Sequence, residues 1–229
     1  MSTKHTNTLY LVRHGENRAN LTKEFSYKLV DYPLTPKGVL QAEQTAMFFQ
    51  STIPLNAAYV SPLKRASQTG EIIARAQDLS VTVLEELREV NVGSFETRKP
   101  TEENWREHDQ IFHQWSRGNL TVAFPGGENF LDLVARIKLG LLKATRGRDG
   151  ERILIAAHGG SLSALVYTFC PREHSLINGI MDNCAITEIE LLTSDDEILD
   201  GTLHSWASSA HLSGEAAQLV SPLLEYDRA

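Results

Sequence analysis

The sequence predicts an α/β protein with a parallel sheet, and three observations carry that expectation. Two apolar runs, Leu9-Tyr10-Leu11-Val12 and Ile153-Leu154-Ile155-Ala156-Ala157, read as strands buried on both faces. Each run stops abruptly at polar residues, Arg13-His14-Gly15-Glu16 after the first and His158-Gly159-Gly160-Ser161 after the second. Stretches of helical period and two further short strands lie between them, as in a chain of βα units.

A chain of 229 residues with 41% hydrophobic content can bury a sizeable core as one domain over 1-229. Its apolar runs fall far short of the ~20 residues a membrane span needs. Met1 to Asn7 is polar and lacks a hydrophobic signal core, so a cytoplasmic protein with no membrane contact is expected. The net charge of −7 argues against a nucleic-acid surface and confines any positive potential to a pocket. Cys170 and Cys184 have no metal-ligand spacing and read as ordinary buried thiols.

Taken in order, the first strand delivers Arg13 and His14 to its carboxyl end, where ligands of open α/β sheets bind. An arginine fork grips phosphate oxygens, and an imidazole serves as nucleophile or base. Leu21 to Tyr32 has no sustained period and reads as a loop across the top of the site, carrying Ser26 and Tyr27 as candidate substrate contacts. Thr35-Pro36 predicts an N-cap and first helical position, with a helix to about Gln50 that places Leu40, Ala46, Met47 and Phe49 on or near its core face.

Ala57 to Val60 is the next strand, and Ser61-Pro62 is expected to start a helix whose first turn holds Arg65. Val81-Thr82-Val83 follows as a strand. The carboxylates from Glu85 to Glu96, broken by Gly93, offer either a general acid or a charged loop. Thr101 to Arg117 is helical, with His108 and His113 assigned to the surface because five residues do not match a helical metal pair. An amphipathic helix with Phe130, Leu133, Val134, Ile137, Leu141 and Leu142 as its stripe precedes the Ile153 strand. Backbone N–H groups at the helix start after His158 are expected to add to an anion site. Asn183 to Leu192 and Ile198 to Ser205 pair as a hairpin, and Ala207 to Ala229 is expected to be helix and irregular terminus, with His211 structural.

Two arginines and two histidines at strand ends form a cationic pocket suited to a phosphoryl group. No Walker-type loop and no aspartate cluster for Mg²⁺ is evident, so metal and cofactor are both expected to be none. These motifs resemble the histidine phosphatase superfamily, the phosphoglycerate-mutase-like proteins, from Leu9 to about Leu212. The resemblance rests on Arg-His-Gly-Glu with Asn20, Leu34-Thr35 through Gly38 to Gln41-Ala42, Ser61-Pro62-Leu63 through Arg65 to Gln68-Thr69, Glu89, Pro125-Gly126-Gly127-Glu128, and His158-Gly159, in the family's order.

The resemblance implies that His14 attacks phosphorus, that Arg13, Arg65 and His158 bind the phosphoryl oxygens, and that Glu89 is the general acid. Asn20, Ser26, Tyr27 and Gly159 are the candidate substrate contacts. Positive neighbours are expected to hold His14 neutral, and partial burial to keep Glu89 protonated. The expected architecture is a three-layer α/β/α sandwich with a mostly parallel central sheet and a small helical cap from roughly 97 to 124. Two stretches depart from the family's pattern: Phe95-Glu96-Thr97 lacks a glycine, and Ser26-Tyr27 stands where mutases have Thr-Gly.

The activity expected is metal-independent hydrolysis of a small phosphorylated metabolite through phosphohistidine. A cofactor-dependent phosphoglycerate mutase is the first alternative, and a non-catalytic binder of phosphorylated ligands the second. A serine esterase is disfavoured because no Gly-x-Ser-x-Gly elbow accompanies His158-Gly159-Gly160. The family often forms homodimers, and no stripe in this sequence marks an interface.

Overall fold

A computed structural model of the chain describes residues 3–220. The first apolar run sits inside a longer strand, β1 (His5–Arg13). After it come α1 (Arg18–Thr22), α2 (Pro36–Thr52), β2 (Ala57–Val60), α3 (Lys64–Arg75) and β3 (Val81–Val83). Next are α4 (Glu102–Ser116), α5 (Phe130–Thr145), β4 (Arg152–Ala157) and α6 (Gly159–Phe169), and the hairpin is β5 (Ile186–Thr193) with β6 (Ile198–Ser208).

The strands form one six-stranded sheet in the order β3-β2-β4-β1-β5-β6. Neighbours from β3 to β1 run parallel, and β5 is antiparallel to both β1 and β6. Strand alternation sorts the core into two layers. Leu9, Leu11, Ile153 and Ile155 face Leu133, Ile137 and Leu141 of α5 and Leu162 and Leu165 of α6. Tyr10, Val12 and Leu154 face the other way, onto Ala46 and Phe49 of α2 and Ile73 of α3. Leu9 and Leu11 are fully buried, and burying a side chain of this size contributes about 1.5–3 kcal/mol. The expected three-layer α/β sandwich with a mostly parallel sheet is therefore what the chain forms.

Helix starts follow the predicted chemistry. Thr35 Oγ1 accepts the Gly38 N–H at 3.0 Å, with Pro36 in the first turn. Asn129 and Asp132 close a reciprocal capping box at the start of α5. The stretch 97–124 contains α4, whose Trp105 Nε1 donates to the Lys23 carbonyl at 2.9 Å and ties α4 to the segment after β1.

Several expectations are corrected. Residues 18–22 are helical because Asn17 and Asn20 form their own capping box, a local bond that periodicity does not reveal. Met47 is 58% exposed, since the face α2 buries runs through Gly38, Gln41, Ala42, Thr45 and Phe49. His108 is not a surface residue. Its ring lies 4.8–6.1 Å from those of Phe25, Phe95, Trp105, Phe112 and Phe124. Strand β6 continues to Ser208, and beyond it a short 3₁₀ turn at Gly214–Ala217 replaces the expected terminal helix among the described residues; 221–229 lie outside them. His211 is structural as expected: Thr45 Oγ1 lies 2.9 Å from its Nε2, and burial pushes it down to about 4. Both cysteines are buried, and burial pushes each thiol up to about 12. No helix among the described residues is long and apolar enough to cross a membrane.

Candidate active site

Sheet register brings the two histidines together. Arg13 pairs with Ala157 across the parallel β1–β4 ladder, so the next residue on each strand, His14 and His158, leaves the sheet side by side. Their ring centroids are 5.3 Å apart. Strand β2 lies on the other side of β4 and pairs Val60 with Ala156, which sets Ser61 beside His158. Ser61 Oγ is 2.7 Å from His158 Nε2.

His14 Nδ1 is 2.8 Å from the Gly15 carbonyl oxygen. A carbonyl only accepts, so this nitrogen carries the proton and Nε2 keeps its lone pair. Burial is the largest influence on His14, with Arg65 and then Arg13 adding to it, and together they hold it well below the usual histidine range. The expected direction holds, with burial leading rather than charge. His158 is depressed in the same way, by burial first and then by Arg65, His14 and Arg13.

The backbone that carries His14 is clamped. A Cβ on Gly38 would lie 2.0 Å from the Glu16 carbonyl oxygen, so α2 can start against this turn only with glycine there. Glu16 is buried and engaged by Thr35 Oγ1 at 2.8 Å and Lys37 Nζ at 3.0 Å. Asn183 Nδ2 donates to the His14 carbonyl at 2.9 Å and to Asn20 Oδ1 at 3.2 Å.

Arg65, 2% exposed, is lowered to about 10 chiefly by burial and remains charged at neutral pH. Its Nη1 donates to Ser26 Oγ at 2.9 Å and its Nη2 to the Ser26 carbonyl at 3.0 Å. The loop bearing Ser26 is fastened from the other side. Glu96 Oε1 accepts the N–H groups of Tyr27, Lys28, Leu29 and Val30 in succession. A phosphoryl group at Arg65 therefore competes with a held loop. Arg13 donates Nη1 to the Met181 carbonyl, and its buried Nε has no hydrogen-bond partner.

Glu89 follows β3 and meets the start of α6. Its Oε1 accepts the Val90 N–H at 2.9 Å and the Ser161 N–H at 2.8 Å, and its Oε2 the Gly160 N–H at 3.2 Å. The helix-start N–H groups expected to serve an added anion thus already hold this carboxylate, which is only half-buried. Arg136 supports the segment from α5, donating to the carbonyls of Glu86, Arg88 and Glu89 and pairing with Glu128 at 2.7 Å. No cluster of three or more His, Cys, Asp or Glu that could hold a metal ion occurs among the described residues.

The family model for the histidine phosphatase superfamily, branch 1, matches residues 9–200. The chain belongs to the histidine phosphatase superfamily. It is 30% identical over 226 residues to a probable phosphoglycerate mutase GpmB of Escherichia fergusonii, covering 95% of this chain and 97% of that one. Among solved structures it is similar to a mycobacterial glucosyl-3-phosphoglycerate phosphatase, with a TM-score of 0.72 and 25% identity over 90% of this chain and 100% of that one. It is also similar to Bacillus stearothermophilus YhfR, with a TM-score of 0.72 and 27% identity over 90% and 98% of the two chains.

In this histidine phosphatase chain, Arg13, His14, Arg65, Glu89, His158 and Gly159 gather at the carboxyl ends of β1, β2 and β4. Gly159 opens α6 against Arg13. Asn20 spends its Oδ1 on the Asn17 N–H and on Asn183, leaving its amide nitrogen as the group able to donate to a ligand. Ser26 reaches the site through Arg65, whereas the Tyr27 ring packs on the main core and meets this region through its backbone on Glu96. Ser61, Glu96, Arg136 and Asn183 were not identified from sequence as members of the site. Ser61-Pro62 reads as a helix start, yet α3 begins at Lys64 with Leu63 as its cap, and the hydroxyl serves His158 instead.

Two neutral buried histidines make stability depend on pH in a fixed direction. The unfolded chain binds these protons near 6.5 and the folded chain only well below it. Their contribution is therefore complete above about pH 6.5 and is lost as pH falls below it, by about 1.4 kcal/mol per pH unit for each histidine. Thermal melts across this window are expected to show that slope, and His158→Asn to reduce it. A slope unchanged in that variant contradicts a neutral His158.

Proposed function

We propose that the chain is a phosphomonoesterase acting on a small phosphorylated metabolite through a phosphohistidine intermediate. The observation that carries this is the His14 tautomer: Nδ1 is committed to the Gly15 carbonyl, so the Nε2 lone pair remains for attack, in a ring beside His158 that feels the charges of Arg65 and Arg13. In the first step Nε2 forms a bond to phosphorus, the ester bond breaks, and the leaving oxygen takes a proton from Glu89. In the second, Glu89 takes a proton from water as that water attacks phosphorus; the N–P bond breaks and inorganic phosphate leaves. Arg13, Arg65 and His158 bind the charge that spreads over the phosphoryl oxygens, and two guanidiniums suffice for this without a metal ion.

The nearly full-length likeness to a probable phosphoglycerate mutase favours a second activity, transfer of the phosphoryl group back to a hydroxyl. Against it, Glu89 and Pro125 are only 36 positions apart, where mutase-like proteins generally carry a longer insertion with basic residues for a second acidic group; for it, Arg98, Lys99, Arg106 and Arg117 lie in this stretch. Phosphate release from a generic aryl phosphate and from a panel of phosphorylated metabolites tests the proposal. Release of inorganic phosphate with an acid-labile phosphoprotein supports it. Isomerisation of phosphoglycerate that requires a bisphosphorylated primer reverses the order of the two activities.

A further inference from the structure

We infer that Ser61 is a positioning residue that fixes the tautomer of His158, placing its proton on Nδ1 and aiming that N–H at the phosphoryl oxygens. The role assigned to that N–H rests on the proposed phosphatase chemistry; the tautomer itself does not.

The inference follows from counting donors and acceptors in a place closed to bulk solvent. Ser61 and His158 are both 0% exposed. Ser61 Oγ has two neighbours: the Leu63 N–H, which donates to it at 3.3 Å, and His158 Nε2 at 2.7 Å. The first can only be a donor, so the serine hydrogen has one acceptor available, the Nε2 lone pair. If Nε2 instead carried the proton, the hydroxyl hydrogen would have no acceptor and the Nδ1 lone pair no donor. Two buried polar groups would then be unmet.

With the serine donating, a single group is left over, and it is a donor. His158 Nδ1 is buried without a hydrogen-bond partner. A second orphaned donor lies close by: Arg13 Nε is also buried and unpartnered, and Arg13 packs against Gly159, the residue after His158. Two unmet N–H donors from different strands, beside a histidine whose Nε2 lone pair is uncommitted, match an acceptor-only tetrahedral anion. The two histidines thereby share one tautomer and put it to opposite uses: His14 spends its Nδ1–H on Gly15 and leaves Nε2 bare for attack, while His158 has Nε2 closed off by serine and leaves its Nδ1–H for the anion.

Long-range ¹H–¹⁵N correlation spectra of the uniformly ¹⁵N-labelled full chain read the tautomer with no substrate present. For wild type, His158 is expected to show a pyrrole-type Nδ1 and a pyridine-type Nε2 at neutral pH. A pyrrole-type Nε2, or an imidazolium, overturns the inference. In Ser61→Ala the ring is expected to gain a population protonated on Nε2, and the affinity for inorganic phosphate to fall about tenfold. An unchanged tautomer in that folded variant also overturns it. Should Ser61→Ala not fold, the wild-type spectrum alone decides. A wild type with the expected tautomer but no phosphate release would retain the serine–histidine pair and remove the phosphatase proposal instead.

Discussion

His14→Ala is expected to lose at least about 10⁴-fold in kcat while remaining folded. The loss is large because no other group can stand in. His158 is the neighbouring imidazole, but its Nε2 is closed off by Ser61 and its Nδ1 carries the proton, so neither nitrogen offers a lone pair for attack. The structural cost is modest, since the side chain makes one hydrogen bond, to Gly15, worth about 1 kcal/mol. Circular dichroism and melting establish the fold, and phosphate release in single- and multiple-turnover assays establishes the rate. Turnover at the wild-type rate in the folded variant would end the phosphohistidine proposal.

The second large effect is expected at Glu89 and divides substrates by leaving group. Glu89→Gln keeps the shape of the side chain but cannot deliver a proton, so alkyl phosphates should slow by about 10²–10⁴-fold. Aryl phosphates, whose leaving oxygen needs little help, should slow far less. Equal losses on both would remove Glu89 as the acid. Gly160→Ala tests the same point without touching the carboxylate. A Cβ there would lie 2.8 Å from Glu89 Oε1 and 3.0 Å from Val90 Cγ2, so the carboxylate must shift. A displacement of that order is expected to cost about 10²-fold on alkyl phosphates, with the melting temperature little changed because the group that moves is a side-chain end.

What the sequence makes legible is the part of the site written in strands. Leu9 to Val12 and Ile153 to Ala157 can only be buried strands, and whatever follows them emerges at one sheet edge, so His14 and His158 are visible as a pair before any coordinates exist. Arg65 is legible for the same reason, in the first turn of a helix that follows β2. The supporting contacts are not, because they depend on side chains meeting across distant elements. Arg136 sits in an amphipathic helix and looks like one more polar position there, yet it holds three carbonyls of the Glu86–Glu89 segment. Glu96 looks like a member of a charged loop, yet it gathers four successive N–H groups. Ser61 was hidden by its own local logic, since serine before proline is so often a helix cap. His108 was misjudged because helical spacing says nothing about the aromatic rings that other segments bring to it.

Strand β1 has two neighbours in the sheet, β4 and β5, and both are made long after it. On the ribosome the segment that will become the middle of the sheet therefore stays without a neighbouring strand until about residue 152 has been synthesised, when Thr8 can first meet Arg152. Until then an apolar ribbon waits in a growing polypeptide, open to self-association. Closing so wide a gap in chain position makes renaturation slow relative to proteins built from local pairings. Shortened products ending before His158 should be inert however well their first helices form.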